Sequence, residues 1–382
     1  MTTTGKYTTL PDWLATLLWT LVALVVLDQA LDRAFPLPAD PRVPPSQVAS
    51  YLDGGRSVEA KLRRMFSTHD TLAAPVTLSG WVDPVRWPAD RPLESGRRFV
   101  TVFGPSFALA VGDTLESLHP HWQFRARGGP AAPVSHVYAL WRVDRSRVHS
   151  DVAVLGILAS SLRGVDAASG ATWMFESPYP YTYPRWRVEG DSVSGEWPSL
   201  ASSDSMRAAL ASPARWRAYE GELARTDAWY RPALFRASWL DHSVTFRLLR
   251  KAWAQRETRL HTARLHDRHG FKPGAEALRT ARALAIQFAR EVRADGGVPV
   301  VMLIEDRGYD DHLERALGAD LRAAGVPCMS THGIAPPTDP GTFTADAHFR
   351  GELNQRLAAA LDSLIREASG PGGGNPSETV PR

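Results

Sequence analysis

Four short runs constrain the fold of this chain more than any other feature. They are RRFVTVFG from Arg97, HWQFRAR from His121, DVAVLGIL from Asp151 and VPVVMLIE from Val298. Each has strand length, is rich in β-branched or aromatic residues, and is bounded by turn residues. A continuous apolar run of this kind suits a strand covered on both faces. The first two are followed by helix-compatible stretches, SFALAVGDTLESL and VSHVYALWRV. Strand alternating with helix predicts an α/β fold with a parallel sheet. VPCMS (326–330) is a further strand candidate, after a helix candidate at Asp310 to Ala324. Phe349, Leu353, Leu357, Leu361 and Leu364 recur every three or four residues and give a last helix one apolar face.

The rhythm breaks in the middle. Residues 170–200 hold MFESPYPYTYPRW, too rich in proline for regular structure, and residues 204–295 read as mainly helical. The expected architecture is therefore one α/β domain in two parts, 98–169 and 298–368, split by an aromatic loop and helical insertion at 170–297. Residues 36–97 form a linker and N-terminal extension, with a helix at Ser46 to Phe66. The glycine-rich tail, 369–382, is expected to be disordered.

At the N-terminus, Trp13 to Leu27 reads WLATLLWTLVALVVL without a charge. A full span needs about 20 apolar residues, and Leu31, Ala34 and Phe35 extend the apolar face. A cleaved signal peptide, a buried core helix and an uncleaved anchor compete. No small-x-small cleavage site follows, so an anchor over residues 1–35 is expected. PLPADPRVPP then reads as a stiff extended linker holding a soluble body off the membrane, outside the cytoplasm.

Composition excludes several classes. Lys plus Arg number 44 against 41 Asp plus Glu, an excess too small for a nucleic-acid footprint. The single cysteine, Cys328, excludes an intramolecular disulfide, a cysteine-based zinc site and a CxxC pair. No P-loop or GxGxxG occurs, so no nucleotide cofactor is expected. His119 and His121, and His261, His266 and His269, lack the spacing of converging metal ligands, so no metal is expected either.

One constellation carries chemistry. Ser106 stands where the first strand turns into a helix. Its hydroxyl would be exposed at the sheet edge, and backbone N–H groups there can stabilise an oxyanion. The plain alternative is a helix cap. Far downstream, TADAHFRGEL sets Asp346 and His348 just before the final helix. A serine hydroxyl needs a general base, and the base needs an orienting group. An Asp–x–His pair on one loop can supply both.

The serine after the first core strand and the Asp–x–His before the last helix resemble the SGNH or GDSL superfamily of serine esterases and acyltransferases. The His-Phe pair is similar to that of its acetyltransferase-like branch, which includes alginate O-acetylation proteins. Gly104-Pro105-Ser106 stands where the family has GDS. The resemblance implies a three-layer, flavodoxin-like domain, with Ser106, His348 and Asp346 catalytic. It places a second-block oxyanion donor at Gly128-Gly129, with Gly129 preferred. The third block lacks its usual asparagine, and Ser160 or Ser161 falls near that place, where its hydroxyl would donate to the oxyanion instead. The resemblance also implies an O-acetyltransferase or acetylesterase working without cofactor on a polysaccharide or other acylated glycan, with a membrane partner that exports acyl groups. A catalytically inactive scaffold or sugar-binding subunit is the alternative. Independently, Tyr181, Tyr183 and Trp186 lie in a proline-stiffened loop. They are candidates for stacking on sugar rings, the alternative being a satellite core.

Overall fold

The computed structural model describes residues 11–40, 43–67, 80–190 and 192–370. The sheet has five parallel strands, β1 (Arg98–Phe103), β2 (Trp122–Arg127), β3 (Val152–Leu158), β4 (Val298–Ile304) and β5 (Cys328–Ser330), in the order β2-β1-β3-β4-β5. Each of the five runs read as a core strand is present, and the α/β class holds. The register sets Val100 opposite Val152, and Val152 opposite Val298.

Side-chain alternation divides two apolar cores between the sheet faces. Val100, Val102, Val152, Val154, Val300 and Met302 face helices α2 (Ser106–Leu118) and α6 (Gly351–Ser369), through Val111, Leu115, Leu357 and Leu361. Phe103, Ala153, Leu155, Val301 and Leu303 face α3 (Val134–Asp144) and α5 (Glu276–Ala294), through Val137, Leu140, Leu284 and Phe288. Each fully buried aliphatic side chain contributes about 1.5–3 kcal/mol.

Helix α5 moves a predicted boundary. Its buried stripe of Ala277, Ala281, Leu284, Ala285, Phe288 and Val292 packs on the sheet. It is the crossover into β4 and belongs to the α/β domain, so the insertion ends before Glu276. The rest of the insertion shares a third core with the N-terminal extension. Val58, Leu62 and Phe66 pack there with Met206, Trp216, Tyr219, Leu223 and Phe235. The helix expected at Ser46 to Phe66 is two helices, Gln47–Asp53 and Val58–Met65, the second capped by Ser57. The proline-rich middle is also more regular than its composition suggests. Arg185–Glu189 pairs antiparallel with Ser192–Glu196.

Helix α1 (Asp12–Ala34) is long and apolar enough to cross a membrane, with mean hydropathy 2.0. Apart from the half-buried Leu14, its tryptophans, leucines and valines are exposed from Trp13 to Leu27. A stiff linker does not hold the body away from it. Asp28 is buried against helix α4 (Val244–Leu265), accepting hydrogen bonds from Ser243 Oγ at 3.0 Å and Thr245 N at 2.6 Å. Asp32 pairs with Arg247 and lies 3.8 Å from Arg56. The last turns of α1 are thus fastened to the body. The tail from 371 onward, expected to be disordered, lies outside the described residues.

Candidate active site

In this strand order β2 lies on one side of β1 and β3 on the other. The carboxyl ends of β1 and β3 therefore flank the topological switch point, where open α/β sheets keep their ligand crevice. β1 ends at Phe103 and Gly104-Pro105 turns the chain. Pro105 is extended (φ −70°, ψ 169°), and Ser106 is the first residue of α2. Proline at the cap fixes φ and gives up an N–H that the helix would leave without a partner.

The turn is packed tightly. A Cβ on Gly156 of β3 would lie 2.6 Å from Ala108 Cβ, and one on Gly128 would lie 1.9 Å from the Gly104 carbonyl oxygen. Neither position accepts a side chain unless its neighbours shift. The β2 loop and β3 therefore close directly onto the base of the serine turn. A glycine inside an apolar strand signals such an approach, and the sequence reading passed over Gly156.

The Asp–x–His loop arrives from 240 residues downstream and meets this turn. Ser106 Oγ lies 2.7 Å from His348 Nε2, and His348 Nδ1 lies 3.2 Å from Asp346 Oδ2. The loop is clamped at its base, where Phe343 bridges to Phe349 and Thr344 N donates to the His348 carbonyl at 2.8 Å. At its tip Ala347 takes φ +68°, left-handed for a residue with a Cβ. This conformation turns the chain between the Asp346 and His348 side chains. The His348 ring also rests on Phe107, with centroids 5.0 Å apart.

Asp346 is 72% exposed and His348 39%. The Thr344 hydroxyl bonds Asp346, and the His348 amide donates to it, holding its carboxyl below the usual carboxylate range. Thr344 is the partner the sequence reading missed. Its signal was a hydroxyl two residues before the aspartate. Because the pair faces water, its Coulombic part is screened.

Among the described residues, none accepts a hydrogen bond from the amides of Ser106, Phe107 or Gly129. These N–H groups sit at the head of α2 and on the loop packed against it. His136 underlies that loop. Its Nε2–H is directed at the Gly80 carbonyl at 2.7 Å, and burial pushes its pKa down to about 4. A Cβ on Gly129 would touch its Cε1 at 3.4 Å.

Other expected contributors are placed differently. The Ser160 amide donates to Asp306 Oδ1 at 3.1 Å and its hydroxyl bonds the same carboxyl, so the hydroxyl expected to face an oxyanion is already engaged. Burial pushes the Asp306 carboxyl up, against hydrogen bonds from Ser160 that pull it down. Tyr181, Tyr183 and Trp186 are buried and present no face to a sugar. Tyr183 stacks on His136 and accepts from Trp173 Nε1 at 2.8 Å; Trp186 Nε1 donates to the Ser135 carbonyl at 2.8 Å; Tyr181 packs edge-on against Trp81. Their area is worth more against the core than against a ligand, which corrects the stacking expectation.

His119 and His121 both approach Asp362 at 3.7 Å. Asp310, Asp311 and His312 could hold a cation, since their ligand atoms lie within 4.8 Å of one another. Arg315 already pairs with Asp311 at 2.7 Å, and His266 Nε2 meets His312 Nδ1 at 2.8 Å.

No protein-family model, curated protein or solved structure matches the chain. The chemistry therefore rests on the geometry. A hydroxyl, an imidazole and a carboxylate in relay, beside three backbone N–H groups at a sheet edge, can carry out nucleophilic acyl transfer.

Proposed function

We propose that the chain is a membrane-anchored, SGNH-type serine acyl-ester enzyme. Its body works outside the cytoplasm as an O-acetyltransferase or acetylesterase on an envelope or exported polysaccharide. The observation that carries this reading is the 2.7 Å approach of Ser106 Oγ to His348 Nε2. The strand order supports it, being the flavodoxin-like 2-1-3-4-5 with the serine at the switch point.

In this mechanism Ser106 Oγ attacks the acyl carbonyl carbon as His348 Nε2 takes its proton. Asp346 holds the imidazole through Nδ1 and stabilises the imidazolium. The oxyanion lies against the N–H groups of Ser106 and Gly129. Collapse breaks the ester bond, and His348 returns its proton to the leaving hydroxyl, leaving acyl-Ser106. A sugar hydroxyl or water then attacks this ester and gives its proton to His348, and the proton passes back to Ser106 Oγ. The acetyl group and the glycan follow from the family resemblance. An acyl-exporting membrane partner is part of the same reading.

Labelling with a fluorophosphonate, followed by peptide mass spectrometry, tests it. An adduct on Ser106 that disappears in His348→Ala is the expected result. Well-folded protein that takes up no label from mildly acidic to alkaline pH would refute it. Asp306 takes both donors of Ser160, its amide and its hydroxyl, which favours a second reading, an inactive SGNH-fold scaffold or sugar-binding subunit, and the same null labelling result would support that. The anchor is tested by alkaline carbonate extraction. The full chain stays with the membrane, and deletion of residues 1–27, which spares Asp28 and Asp32, releases it. Release of the full chain would refute the anchor.

A further inference from the structure

Helix α4 carries an apolar stripe that the fold leaves uncovered. Phe246, Leu249, Trp253 and Leu260 are all exposed, Leu249 by 60%. At 3.6 residues per turn they fall within about 60° of one another. Trp239, in the turn Trp239–His242 just before the helix, is 76% exposed and stands edge-on to Phe246, with centroids 6.3 Å apart.

The position of this stripe identifies what covers it. The charge-free run of α1 ends at Leu27, and the next residue, Asp28, is hydrogen-bonded to Ser243 and Thr245. Gln29 reaches the His242 carbonyl at 3.4 Å, and Asp32 pairs with Arg247. If α1 spans a bilayer, the plane where its apolar run stops passes through Asp28. It therefore passes beside Ser243, which stands in the chain between Trp239 and Phe246, whose rings meet. Aromatic side chains of this kind settle at the headgroup level. The charges agree. Exposed Arg256 borders the stripe beside Leu249 and exposed Arg264 continues its face one turn past Leu260, while the single acid of the helix, Glu257, is ion-paired to Arg231 at 3.2 Å and lies 3.6 Å from Arg256. An apolar stripe with a basic border is the pattern of a helix lying in an anionic membrane interface.

We propose that α4 and the Trp239 turn form a second membrane contact, lying on the bilayer surface with Trp239, Phe246, Leu249 and Trp253 among the headgroups. This rests on the anchor reading of α1 and adds to it. A single spanning helix, even one fastened to the body, would leave the body free to turn about the helix axis and to tilt with it. Two contacts joined through Asp28 and Asp32 fix its attitude to the membrane.

The test uses the full chain with Cys328→Ser and Leu249→Cys, labelled with bimane. It is placed at one copy per nanodisc of phosphatidylcholine and phosphatidylglycerol carrying shallow spin-labelled lipid. The expected result is a blue-shifted bimane quenched several-fold more strongly than the same label at Asp113→Cys on α2. Adding Trp239→Ser and Trp253→Ser, both on exposed side chains, leaves the chain in the disc and removes most of the quenching. Equal quenching at the two positions in loaded discs would overturn the proposal and leave the anchor standing. Label that is shielded in native membranes but unquenched in lipid discs would overturn it in favour of a protein partner. Failure of the chain to enter discs would overturn the anchor, and this proposal with it.

Discussion

Gly156→Ala offers a strict test of how the serine turn is built. The added methyl would lie 2.6 Å from Ala108 Cβ and 3.5 Å from Gly104 Cα, where 3.4 Å is the lower end of ordinary contact. Either β3 or the first turn of α2 must retreat by about 0.8 Å, an overpacking that costs about 1–3 kcal/mol. If α2 gives way, Ser106 Oγ moves from 2.7 Å to beyond hydrogen-bond reach of His348 Nε2. Displacements of this size near reacting groups cost up to about 10²-fold in rate. Two readouts on detergent-solubilised full chain check this, the urea midpoint by circular dichroism and the rate of fluorophosphonate labelling. The partner mutation sharpens the test. Ala108→Gly removes the opposing methyl at a helix-propensity cost of about 1 kcal/mol. The double variant moves one methyl from helix to strand, so it should recover most of the labelling rate that Gly156→Ala loses. A Gly156→Ala protein with parental midpoint and rate would refute the packing argument. So would a double variant no better than Gly156→Ala.

Three further outcomes are expected. His348→Ala should lower Ser106 labelling by about 10²–10⁴-fold, the usual contribution of a general base, and the exposed Asp346, changed to Asn, should cost less; equal losses measured by labelling kinetics would show that the exposed carboxylate matters as much as a buried one. His136 has a pKa of about 4 in the fold against about 6.5 unfolded, so the unfolded chain binds more protons between these values and stability falls as pH drops through that window, by about 3 kcal/mol; acid titration of the midpoint checks this, and His136→Asn should flatten the slope. Asp144 is buried between Arg125 (3.1 Å) and Arg127 (3.0 Å), so Asp144→Ala leaves Asp90 as the one carboxylate, among the described residues, for two buried guanidiniums and should cost about 3–5 kcal/mol by denaturation, a loss under 1 kcal/mol contradicting the account.

The parallel sheet was legible because buried parallel strands write themselves as uninterrupted apolar runs, and RRFVTVF and DVAVLGIL leave few other states open. Ser106, Asp346 and His348 were legible from their places at a strand end and before a helix. What the sequence hides is which surface covers which face. The periodicity of α5 is the same whether it packs on the sheet or within the insertion, so its domain was misplaced. Tyr181, Tyr183 and Trp186 offer aromatic faces equally suited to a sugar or to His136, Trp81 and Ser135, and only the burial of each decides. Arg185–Glu189 and Ser192–Glu196 are short alternating runs masked by the prolines before them. Asp28 and Asp32 read as interruptions of an apolar helix, whereas they are its fastening to α4. Ala347 gave no sign of its positive φ, since alanine seldom takes it.

The central claim, that Ser106 is a nucleophile served by His348, is tested most directly by trapping the acyl-enzyme. Full-length protein mixed with p-nitrophenyl acetate and quenched in acid should carry one acetyl group on the peptide that contains Ser106, formed in a burst with nitrophenolate release and absent from Ser106→Ala. Release of nitrophenolate without a burst, with no acetyl on that peptide, would contradict the claim.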